Sequence, residues 1–171
     1  MRTYLGIDPG VTGAVAILDV EDDGTQTLTV TPTPCDWVQV GTGKRRRYAV
    51  DRCRDLLGDL DTVSLAYLEQ QSARPKQGTA SSFSTGYGYG VWVALLTAQL
   101  IPFAAVPAPR WRARAGLAAQ PGAPKKAIKE GVRLAATRRF PTVPISVEHA
   151  DAVMLAVAAA LEHGLDDRRS A

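Results

Sequence analysis

The chain has 171 residues, 46% hydrophobic and 22% charged, with a formal net charge of +3 and a pI near 9.0. That length suffices to bury a core of its own and predicts a single domain over 1–171. The composition excludes a disordered chain, and no apolar run is long enough to span a bilayer.

Residues 3–8, 13–20 and 26–32 alternate as three consecutive strands, with Asp22-Asp23-Gly24 turning the chain between the second and third. No charged-then-apolar leader precedes the first of them, and the expectation is a soluble, cytoplasmic protein with no membrane partner. Residues 33–46 are polar and Gly-rich and read as a mobile loop. Val50, Cys53, Leu56 and Leu57 have helical spacing within 47–59. Val63 to Glu69 is a largely buried strand, and the polar loop from Ser72 to Thr79 follows it. Residues 80–99 read as a long helix and Ile101 to Val106 as a fifth strand. Pro107-Ala108-Pro109 breaks the pattern. Helices follow from about Pro124 to Arg139 and from about Val147 to Glu162. A meander followed by strands alternating with helices predicts an α/β fold, a mixed sheet with helices on its faces. Cys35 and Cys53 lack ligand spacing and a companion histidine, so they read as free thiols in a reducing compartment.

The chemistry lies in the acids. Asp8 stands at the end of the first strand, before a turn in which Pro9 stiffens the exit and Gly10 and Gly13 allow close approach. It either caps that turn or faces a metal or phosphate. Glu69 ends another strand. Glu148 and Asp151 are three apart at a helix start, a spacing that puts both on one face. The run Ala152 to Leu161 is apolar on nearly every side, so that helix is buried. Acids at its mouth require partners, the helix dipole, or a metal. His149 lies round the helix from both and reads as a packing or rim residue. Four carboxylates suit hard cations, Mg²⁺ or Mn²⁺, and two such ions can cleave a phosphodiester. No Ser/His/Asp signature, Walker loop or zinc spacing appears.

The basic residues cluster. Lys126, Lys129 and Arg133 are predicted to share one face of the helix after Pro124, opposite Ile128, Val132 and Ala135. Glu130 is the only acid among five Lys/Arg between Lys125 and Arg138, which favours phosphate contact over a merely solvated face. Arg74, Lys76 and Gln77 directly follow the Glu69 strand, placed to touch a phosphate substrate or to form an ordinary polar turn. Lys44-Arg45-Arg46-Arg47 either binds a polyanion or stays solvated. Gly86, Gly88 and Gly90 each cost roughly 1 kcal/mol inside a helix. Close helix approach, against the sheet or across a dimer two-fold, offsets that cost. Tyr87, Tyr89 and Trp92 read as core or interface ahead of base stacking.

Gly6-Ile7-Asp8-Pro9-Gly10 with Thr12-Gly13, then Leu68-Glu69-Gln70, then Glu148-His149-Ala150-Asp151-Ala152 in a terminal helix together resemble the RuvC-type Holliday-junction resolvases. The segments Phe83 to Trp92 and Val106 to Trp111 look most like the phage and chloroplast branch. The resemblance covers nearly the whole chain, in order. It implies an RNase H-like fold: a five-stranded mixed sheet, three antiparallel strands first, flanked by helices. It implies a homodimeric, structure-selective endodeoxyribonuclease that resolves four-way DNA junctions by paired symmetric nicks. Its cofactor would be Mg²⁺, two ions per active site, with Mn²⁺ able to substitute. Asp8, Glu69 and Asp151 match the family's metal carboxylates. Glu148 matches a position held by a fourth acid or a histidine. Lys126 falls near a lysine that approaches the scissile phosphate, and Arg112 near another basic position. Three rival readings remain at this stage: the same chemistry on other branched DNA, an actin-like phosphate-binding lobe, and a catalytically silent junction binder.

Overall fold

The computed structural model describes residues 1–58, 60, 62–73, 78–118 and 121–164. The three predicted opening strands are β1 (Arg2–Ile7), β2 (Ala14–Val20) and β3 (Gln26–Pro32), and β6 (Leu65–Glu69) and β7 (Phe103–Val106) complete one five-stranded sheet in the order β3-β2-β1-β6-β7. The meander pairs antiparallel, whereas β1, β6 and β7 run parallel. The helices are α1 (Val50–Gly58), α2 (Thr79–Ala98), α3 (Ala108–Arg114), α4 (Lys125–Arg139) and α5 (Ala150–Glu162).

Strand periodicity divides the core in two. Tyr4 of β1, Ala16 and Leu18 of β2 and Tyr67 of β6 point to the face covered by α5. Leu5, Ile7, Val15 and Leu68 point to the other face, against Cys53 and Leu57 of α1 and Trp92 and Leu96 of α2. Successive residues of a strand must alternate in this way. Helix α5 is buried continuously from Ala150 to Ala160, as its apolar run predicts. It lies so close to β1 that a Cβ at Gly6 would collide with the backbone of Ala152 and Ala156. Glycine is required there for contact, not for a turn.

Two expectations need correction. Residues 33–46 are not a loop: Cys35–Val40 (β4) and Gly43–Tyr48 (β5) form a separate antiparallel hairpin. Its strands are mostly exposed. β5 is basic but for its ends, and the apolar Cys35, Trp37, Val38 and Val40 of β4 do not follow a period of two, so there is no hydrophobic alternation to read. The tight Gly41-Thr42 turn, with Gly41 at φ 59°, is the cue for it. The Pro107-Ala108-Pro109 break, in turn, opens a helix: Pro107 is the N-cap of α3 and a proline occupies its first turn, where a missing N–H costs nothing. Trp111 of α3 is fully buried in the core under α5. Both cysteines are free, as expected. Among the described residues no helix is long and apolar enough to cross a membrane.

Candidate active site

The sheet register builds the site. Ile7 of β1 pairs with Leu68 of β6 in parallel, so the next residues, Asp8 and Glu69, leave adjacent strand ends side by side. Asp8 shares the parity of Tyr4 and Gly6, and Glu69 that of Leu65 and Tyr67, so both acids turn toward the α5 face. Asp151, in the first turn of α5, comes down to meet them. Ligand oxygens of Asp8, Glu69 and Asp151 lie within 4.8 Å of one another. The turn after β1 is closed by hydrogen bonds from Asp8 N–H to Ala14 O (3.1 Å) and from Gly13 N–H to Gly10 O (2.9 Å). Gly13 passes so near Asp8 that a Cβ would strike its carbonyl oxygen.

Each carboxylate has its own surroundings. Burial, then the charges of Glu69 and Asp151, push the Asp8 pKa up to about 7; the Gly10 N–H, at 3.3 Å from Oδ1, pulls the other way. Glu69 is raised by burial and by Asp151. Trp111 Nε1–H donates to its Oε1 at 3.3 Å and Gln71 Nε2–H to its Oε2 at 3.1 Å, so both oxygens are oriented. Asp151 is buried and raised by that burial, while Arg112 and Lys129 oppose the rise. Arg112 Nη2 stands 3.8 Å from Asp151 Oδ2, and its guanidinium lies 5.0 Å from the Trp111 ring centre. Its Nε is buried without a hydrogen-bond partner among the described residues.

These groups line a cleft of about 550 Å³ that also takes in Gln70, Ser72, Lys125 and Lys129. A second cleft of about 490 Å³ continues from Asp8 past Pro9, Gly10 and Thr12 to Tyr48 and Arg45. The donor set, three clustered carboxylates and no thiolate or imidazole, fits a hard divalent cation. An acid held neutral to near pH 7 by burial and then by its neighbours' charge is what such a cluster shows when no cation offsets it.

Several expected residues are placed elsewhere. Glu148 is exposed and lies in the turn before α5, outside the carboxylate group. The helix begins at Ala150, not Val147, so the three-residue spacing to Asp151 does not bring both acids to one helical face. Its own backbone N–H, and then the Ser146 hydroxyl, hold Glu148 below the usual carboxylate range. Lys126 does not line the cleft; Lys125, Ile128 and Lys129 do. A helix turns about 100° per residue, so Lys126 points well round from that face, toward Glu130, whose charge it influences. Arg133 forks onto Glu130 on the same outer surface. Arg74, Lys76 and Gln77 lie outside the described residues. Sequence reasoning missed the roles of Trp111 and Gln71. The side-chain N–H donors beside Glu69 are their only signal, and α3, which aims Trp111, was not expected.

No protein-family model matches the chain, and no curated protein sequence matches it. Solved structures do. The Thermus thermophilus RuvC structure aligns over 95% of this chain and 95% of its own, with a TM-score of 0.60 and 16% identity. T. thermophilus RuvC in complex with Holliday junction substrate aligns over 96% of this chain and 98% of its own, with a TM-score of 0.62 and 15% identity. The chain has a RuvC-type, RNase H-like fold. Its mixed five-stranded sheet with three antiparallel strands first is the arrangement the resemblance implied. The likeness to the phage and chloroplast branch of RuvC-type proteins rests on the sequence motifs alone.

Proposed function

We propose that this chain is a divalent-metal-dependent endonuclease that resolves four-way DNA junctions. The observation that carries the reading is the convergence of Asp8, Glu69 and Asp151 at the strand ends of a RuvC-type sheet. Lys129 and Arg112 stand beside them in the same cleft.

The three carboxylates would hold two Mg²⁺ or Mn²⁺ ions. Bound there, the ions supply an activated water and neutralise charge on the phosphate and leaving oxygen. The chain's own side chains do the rest. Trp111 and Gln71 fix the two oxygens of Glu69, so its lone pairs are already aimed. Arg112, its free Nε–H set in a buried wall, offers charge-assisted hydrogen bonds to a phosphate oxygen. Lys129 lines the cleft, and its charge acts on both Asp8 and Asp151. It takes over the phosphate-stabilising role expected of Lys126. Glu148, within reach of the Lys129 charge, is a rim acid. The hairpin residues Lys44 to Arg47 add positive surface for the DNA arms.

Paired cutting of a symmetric junction calls for two sites on one particle. The exposed side of α2 suits that two-fold. Phe83 and Tyr87 are exposed on it, and among the described residues nothing lies within 4 Å of where a Cβ at Gly86 or Gly90 would stand. A second copy can approach the backbone closely there. The test of substrate is a single-turnover assay with Mg²⁺ on matched four-way, three-way, flap and linear DNA. Preferential cleavage of the four-way junction is expected. Equal cleavage of all branched forms would make the enzyme a general branch nuclease, and no cleavage of any would overturn the proposal.

A further inference from the structure

Tyr48 ends β5, and its hydroxyl donates a hydrogen bond to the carbonyl oxygen of Pro9 at 2.6 Å. Pro9 is the residue after Asp8. The Tyr48 ring is half-buried against α2, opposite Gly88. A Cβ at Gly88 would run into the Tyr48 hydroxyl oxygen and the ring carbon that bears it. The three glycines of α2 therefore serve different ends: Gly86 and Gly90 face open space, and Gly88 makes room for one phenol. The Tyr87 ring, 5.9 Å away, closes one side of that space.

We propose that Tyr48 is a positioning residue for the turn that carries Asp8. The need for one follows from the electrostatics. Ligand oxygens of Asp8, Glu69 and Asp151 lie within 4.8 Å of one another, so three like charges crowd the end of β1. Among the described residues the Asp8 carboxylate accepts one long hydrogen bond, from Gly10 N–H at 3.3 Å. Repulsion of that kind moves a turn unless the backbone is tied from outside. Turning the Pro9 carbonyl away from Tyr48 gives up this hydrogen bond, a net loss of stability. Gly88 sets how far the hydroxyl reaches, and so where the turn sits. This assignment rests on the nuclease reading, in which Asp8 is a metal ligand.

The test is Mn²⁺ titration of the DNA-free protein, followed by electron paramagnetic resonance, alongside kcat and KM on a four-way junction. Tyr48→Phe removes one oxygen and keeps the ring. It should weaken Mn²⁺ binding by roughly tenfold, as loss of a partner that orients a metal ligand does. It should also lower kcat while leaving KM for the junction unchanged. Gly88→Ala, which displaces the ring from α2, should weaken Mn²⁺ in the same direction. Wild-type Mn²⁺ affinity in both variants, with Mn²⁺ bound by the wild type, would overturn the assignment alone. A wild-type protein that binds no Mn²⁺ would overturn the nuclease reading and this assignment with it.

Discussion

Asp8 sits where three carboxylates converge, and its proton is the most informative single atom in the site. Its folded pKa lies near 7 against an ordinary 3.8. For a raised carboxylate the sign is fixed: its contribution to stability is fully present below the unfolded pKa and is lost as pH rises through the folded one. The metal-free protein should therefore lose thermal stability between about pH 4 and pH 7. Asp8→Asn, which never ionises, should lose less over that window. Scanning calorimetry in EDTA checks this, and parallel curves for the two proteins would contradict it. Mn²⁺ competes with the same proton, so its binding should tighten with rising pH and level off above about 7. The lysines divide by direction on α4. Lys129→Ala should slow single-turnover cleavage by roughly 10²-fold, as loss of one electrostatic donor does. Lys126→Ala should leave the rate near wild type. A larger defect at Lys126 would return the phosphate role to it. Asp8, Glu69 and Asp151 were legible in the sequence because each ends or opens an element whose periodicity is strong. Glu148 was misplaced because a shift of three residues in a helix start changes which way a side chain points, and helix starts are the least certain part of a periodic pattern. Trp111 and Gln71 were not legible as partners of Glu69, since nothing in spacing shows that two side chains meet across a cleft.

At the scale of elements, α2 tests the idea that a glycine's neighbours decide its meaning. Gly88 packs on Tyr48, while Gly86 and Gly90 are open. Gly90→Leu should therefore fold normally and even gain helix propensity. It should shift the protein toward monomer in sedimentation and abolish paired cleavage, leaving single nicks. A Gly90→Leu protein that stays dimeric would move the two-fold elsewhere. The sheet strands were legible because alternation and burial coincide in them. The β4–β5 hairpin was not. Its apolar residues, Cys35, Trp37, Val38 and Val40, fall on both faces of β4, and β5 is basic, so no period-two pattern shows, and the Gly41-Thr42 turn is what marks it. Helix α3 was hidden by a real ambiguity: a Pro-Ala-Pro run ends one element and, at an N-terminus, begins another.

For the whole molecule, parallel register brings Asp8 beside Glu69, strand parity turns both to one face, and α5 closes the third side with Asp151. That assembly is a property of the RuvC-type fold joined to these particular acids, and its central claim is metal-dependent cutting of a four-way junction. The direct measurement is single-turnover cleavage of an end-labelled four-way junction by wild-type protein and Asp8→Asn in Mg²⁺, in Ca²⁺ and in EDTA. Symmetric nicks are expected from the wild type in Mg²⁺ alone. Ca²⁺ should permit binding without cutting, because it accepts more ligands at longer distances and misplaces the water. Asp8→Asn should bind the junction and leave it intact. Robust cutting in EDTA, or cutting by Asp8→Asn at the wild-type rate, would contradict the account.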